Sequence, residues 1–109
     1  MWRHGAACLL SLLAATAQAG EAGPGPARQT ALLSILQQDC GSCHGSTLKG
    51  GLGPSLLPDA LAGRPVEALV ATIRDGRPGT AMPPWGPILK ESEIRWLVEQ
   101  MLAGRGAAQ

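Results

Sequence analysis

The chain has 109 residues, 45% of them hydrophobic, with a net charge of +1, which leaves room for one small domain rather than two. Nine Lys and Arg against eight Asp and Glu give no basic excess to grip nucleic acid, and no basic amphipathic helix is present for a membrane surface. With three cysteines and neither Phe nor Tyr, the core is short of both aromatic bulk and covalent staples.

Met1-Trp2-Arg3-His4 is a basic start, Ala6 to Ala15 is apolar, and Ala17-Gln18-Ala19 puts small residues where a signal peptidase cuts. This predicts a secretory signal over residues 1–19, cleaved before Gly20, and a periplasmic location with no membrane anchor afterwards. The apolar run falls short of the about 20 residues that span a bilayer. Cys8 lies inside that run and leaves with it. The remainder holds two Cys, one His, two Met and two Trp, and losing Arg3 brings the basic residues to eight against eight acidic. Residues 20–27, rich in Gly, Pro and Ala, predict a flexible extension, residues 28–104 the domain, and residues 105–109 a frayed tail.

The first helix is predicted from near Arg28 or Thr30 to Gln38, with Leu32, Leu33, Ile35 and Leu36 on one side. Cys40 falls on that side, and Gly41 is expected to end the helix. From Gly45 to Gly63 no period is sustained, because Gly50, Gly51, Gly53, Pro54 and Pro58 interrupt any regular element. Such a loop takes its path from a ligand rather than from backbone pairing. Pro65 then opens a helix carrying Val66, Leu69, Val70 and Ile73, which Gly76 closes. Pro78, Pro83, Pro84 and Pro87 make residues 77–88 extended. The last helix, from about Glu91 to Ala103, has Ile94, Leu97, Val98, Met101 and Leu102 as its stripe, with Trp96 opposite. No strand pattern appears, so the fold class is all-α.

The chemistry lies in Cys40-Gly41-Ser42-Cys43-His44. Two thiols at this spacing can add across the vinyl groups of one haem, and the following imidazole is placed to reach the iron. A redox dithiol would sit at a helix N-terminus, whereas this pair follows a helix. Zinc would need a fourth Cys or His, which the remaining chain does not offer. One covalently held haem c would also supply the missing core, so apoprotein without it should fold poorly.

His44 is the single His after signal removal, so a sixth ligand must be Met, water or something weaker. Met82, held in Ala81-Met82-Pro83-Pro84, is the favoured axial partner, and Met101 reads as core packing on the last helix. Around them, the Pro54 carbonyl can accept from the far nitrogen of His44, or Pro54 is an ordinary loop residue. Arg77 and Trp85 can reach a haem propionate, the alternatives being a solvated Arg and a packed Trp. Lys49 is a docking charge or simply solvated.

These residues resemble the class I c-type cytochromes: helix and attachment motif, then Gly53-Pro54-Ser55-Leu56, then Gly76-Arg77 leading to Met82-Pro83, then a final amphipathic helix. The resemblance implies a small helical shell around one haem, with Cys40 and Cys43 forming thioethers, His44 and Met82 as axial ligands, and Pro54 accepting from His44. Lys90 departs from it, standing where a Ser, Thr or Asp cap is usual. More narrowly, Asp39 to Gly45, Leu48 to Pro54 and Asp75 to Trp85 resemble the NirC-type periplasmic cytochromes of denitrifying bacteria. One attachment motif paired with one well-placed Met, and no further catalytic residues, predicts an electron carrier rather than an enzyme, a monomer or weak dimer, and the likeness implies a role beside dissimilatory nitrite reductase. In that role the chain either donates electrons to the reductase or serves maturation of its second haem. A haem enzyme or sensor with an open sixth position is the alternative class.

Overall fold

The computed structural model describes residues 23–107. The predicted signal, its cleavage site and residues 108–109 lie outside the described residues. Within them the regular structure is helical: α1 (Pro26–Ile35), a π turn (Leu36–Cys40), α2 (Gly41–His44), α3 (Pro58–Leu61), α4 (Val66–Asp75) and α5 (Glu91–Leu102). Among the described residues no helix is long and apolar enough to cross a membrane.

α1 begins at Pro26, inside the predicted extension, because proline suits the first helical position, where no N–H is needed. Gln29 reinforces this start, its backbone N–H donating to the Gly25 carbonyl at 2.9 Å and its side chain to the Pro24 carbonyl at 2.9 Å. Gly41 does not end the helix as predicted. It keeps right-handed helical angles and donates to the Leu36 carbonyl, five residues back, which is the bond that defines a π turn. Helical structure ends at His44, where Gly45 takes a φ of +86°.

The extra residue in the π turn has a geometric consequence. At about 100° per residue an unbroken α-helix would carry Cys40 about 80° and His44 about 120° away from the line of Leu32. One inserted residue takes back about 100°, returning both to within about 20° of that line. Leu32 and Leu36 are fully buried, so the attachment motif faces the interior with them.

The core joins these two leucines to Leu48, Val70, Ile94, Leu97 and Val98, all at most 1% exposed. Leu48 reaches it from the loop in a left-handed conformation (φ 58°). α5 packs along α4 and across α1. Arg28 of α1 donates through Nε and Nη2 to the buried Glu93 of α5, the second bond measuring 3.3 Å. Glu93 also accepts the Lys90 backbone N–H at 3.0 Å. Lys90 has no side-chain acceptor, so Glu93 alone caps this helix start. The Arg28 hydrogen bonds, then that from Lys90, hold the Glu93 carboxyl below its ordinary pKa. Arg95 grips Glu67 of α4 at 2.7 and 2.9 Å on the outside.

Two other expectations change. A single turn, α3, forms where no regular element was expected, opened by Pro58. The tail does not fray at Arg105: its Nε donates to Gln100 Oε1 at 2.8 Å, and Ala107 packs on the core. Trp96 is half-buried and lines an outer hollow with Ser92 and Arg95, although it stands opposite the apolar stripe.

Candidate haem site

Cys40 and Cys43 are free, half-buried thiols one turn apart. Burial, and then the charge of Asp39, push the Cys40 thiol up to about 11. It stays protonated near neutral pH, unlike the depressed thiolate of a dithiol redox enzyme. The loop after α2 folds back on the motif, with Gly50 N–H donating to the His44 carbonyl and Gly53 N–H to the Cys43 carbonyl, each at 2.8 Å. These bonds use carbonyls that the helix end would otherwise leave unpaired.

Such a close return requires glycine. A Cβ on Gly51 would stand 2.7 Å from the Cys43 carbonyl oxygen, and one on Gly53 would stand 2.7 Å from His44 Cε1. The same return brings the Pro54 carbonyl oxygen to 2.6 Å from His44 Nδ1. With Nδ1–H donating, the lone pair available for a metal is on Nε2, and the ring orientation is held.

The Met82 segment is pinned just as closely. Trp85 and Gly86 donate their N–H groups to the last-turn carbonyls of α4, Ile73 and Arg74, each at 3.0 Å. Arg77 N–H donates to the Met82 carbonyl at 3.2 Å. Thr80 Oγ1 donates to the Arg77 carbonyl at 2.7 Å and accepts the Met82 N–H at 3.3 Å. Underneath, Gly76 has φ +68°, and a Cβ there would meet the Met82 oxygen, Pro83 and Pro84 at 2.8 Å. Only glycine lets the segment cross the end of α4.

These two segments face one cavity of about 530 Å³. Cys40, Cys43, His44 and Pro54 line it from the attachment side, and Met82, Trp85 and Arg77 from the loop after α4. Thus every predicted site residue meets at one place. Lys49 is exposed and is not part of the lining. Several lining residues were not foreseen as such: Leu69, Thr72 and Ile73 of α4, Leu97 and Val98 of α5, and Arg64. The apolar members belonged to the predicted helix stripes. Arg64 gave no sequence signal. Met101 also lines the cavity, although it is 5% exposed and packed in the core as predicted.

The family model of the cytochrome c oxidase cbb3-type subunit III matches residues 27–101. The chain is 54% identical over 81 residues to cytochrome c55X of Pseudomonas aeruginosa, covering 74% of this chain and 68% of that one. It belongs to the c-type cytochromes. Within them it stands with the small NirC kind. The solved structure of a c-type cytochrome NirC matches with a TM-score of 0.76 and 52% identity, over 78% of this chain and all of that one. The cytochrome is also 46% identical over 72 residues to the dihydro-heme d1 dehydrogenase of Pseudomonas aeruginosa, covering 65% of this chain but 13% of that much longer one.

Membership implies a covalently bound haem c, and the cavity fits one. Its lining is mainly aliphatic and its volume lies in the range of cofactor pockets, roughly 300–1,000 Å³. The donor set is right as well: two thiols for attachment, an imidazole already oriented through Nδ1, and a thioether on a pinned loop. Bound there, haem would supply one-electron redox chemistry. The chain's part is to orient the imidazole, hold the thioether segment and exclude water with α4 and α5.

Proposed function

We propose that the cytochrome carries single electrons in the periplasm on one haem, attached through Cys40 and Cys43 and ligated by His44 and Met82. The observation that carries this reading is that an oriented imidazole and a pinned thioether line the same apolar cavity. Strong-field ligands at both axial positions leave no site for substrate and minimise rearrangement on electron transfer, which suits a carrier rather than an enzyme. The likeness to NirC-type cytochromes supports nitrite reductase of denitrification as the partner.

Met82→Ala and Met101→Ala test the ligation. In haem-loaded protein, Met82→Ala abolishes the near-infrared iron–thioether band and opens the iron to carbon monoxide, whereas Met101→Ala keeps the band and loses stability. Avid carbon monoxide binding by the wild type would overturn the reading in favour of an open-site haem protein.

The match to dihydro-heme d1 dehydrogenase supports a second reading. A dehydrogenation releases electrons that an acceptor must take up, and a small cytochrome can take them one at a time during maturation of the nitrite reductase's second haem. Deleting the gene and then supplying that haem distinguishes the two. Restored nitrite reduction in cells points to maturation, and continued loss points to electron donation.

A further inference from the structure

Six arginines lie among the described residues, and their pairing divides them sharply. Arg28 bonds Glu93, Arg74 bonds Asp75 and Glu91, and Arg95 bonds Glu67. Arg105 bonds the Gln100 side chain. Arg64 and Arg77 have no side-chain acceptor among the described residues, and they are the two arginines that line the 530 Å³ cavity. They come from different places, Arg64 from the turn after α3 and Arg77 from the loop after α4.

A haem brings two carboxylates with it. Moving them against an aliphatic wall is costly unless charged donors meet them, and guanidinium is the side chain whose fork matches a carboxylate. Trp85 in the lining adds a neutral donor, whereas the Thr72 hydroxyl is spent on the Ala68 carbonyl at 2.9 Å, and Asp39 is the one carboxylate there. The remaining titratable lining groups, Cys40, Cys43 and His44, are taken up by attachment and ligation in the proposed site.

We propose that Arg64 and Arg77 receive the haem propionates, one guanidinium for each carboxylate, and so raise the haem's reduction potential. The inference rests on the haem reading above but not on any redox partner. The sign follows from charge: reduction adds an electron, a nearby cation stabilises the more negative state, and removing the cation lowers the potential. Arg64 thereby becomes a cofactor-binding residue.

The test is spectroelectrochemical titration of haem-loaded Arg64→Gln, Arg77→Gln and the double variant, with Arg64→Lys, Arg77→Lys and Arg105→Gln alongside. Each Gln variant lowers the potential, weakening reduction on the order of threefold or more in the equilibrium constant, and the double variant lowers it further. The Lys variants recover most of the shift, and Arg105→Gln shows none. Wild-type potential in both single Gln variants, with unchanged visible spectra, overturns the proposal. A protein that takes up no haem, or whose iron does not titrate reversibly, overturns the haem and carrier reading instead.

Discussion

Gly53 makes a demanding claim about the site. Its φ lies outside the left-handed region, so alanine costs nothing in backbone strain and its whole effect is steric. The new methyl would stand 2.7 Å from His44 Cε1, 2.8 Å from Nδ1 and 3.2 Å from Nε2. Ordinary contact begins near 3.4 Å, so the ring must retreat by about 0.7 Å. It cannot do so without disturbing the 2.6 Å contact between Nδ1 and the Pro54 carbonyl. Overpacking of this kind costs about 1–3 kcal/mol. In a domain of this size that lowers the melting temperature by roughly 5–20 °C. Thermal unfolding of haem-loaded Gly53→Ala, followed in the haem bands, measures it. The reduction potential should also rise, because an imidazole that loses its acceptor donates less strongly to ferric iron. Gly23→Ala is the control, since no atom lies within 4 Å of the added methyl. If Gly53→Ala matches that control in stability, spectrum and potential, the imidazole is not held as described.

Two further outcomes follow from the fold. Deleting Gln38 should convert the π turn to regular helix and rotate the attachment motif by about 100° relative to Leu32; visible spectra should lose the six-coordinate low-spin form and melting should fall, and an unchanged spectrum would refute the positioning role of the turn. Glu93 has a folded-state pKa below its unfolded value of 4.5, so its stabilisation is present above that pH and is lost as pH falls through the folded value. Glu93→Gln should therefore be less stable than wild type at pH 7 by about 1 kcal/mol, a figure discounted because Arg28 is partly in water. The gap should close in acid, and a gap constant from pH 7 to pH 3 in chemical denaturation would contradict the Arg28–Glu93 account.

Local chemistry explains why so much of the site was readable in one dimension. Cys40, Cys43 and His44 lie within about one helical turn, so spacing alone carries their relation. Pro54 and Met82 sit in segments whose glycines and prolines advertise close approach and rigid backbone. The helix stripes of α4 and α5 were legible for the same reason, because burial imposes a period of 3.6 residues.

What composition and spacing determined was a helical protein with a haem attachment motif and a thioether segment to face it. Long-range packing decided the rest. Whether the first helix stops or continues at Gly41 depends on a hydrogen bond five residues back to Leu36 and on the core that Leu32 and Leu36 share with α5. Whether an arginine is spent on a carboxylate or left facing the cavity depends on which acid lies beside it in space. Arg28 finds Glu93 65 residues away, while Arg64 finds no acid among the described residues. Such pairings arise only when the helices pack, and no periodicity in the chain encodes them.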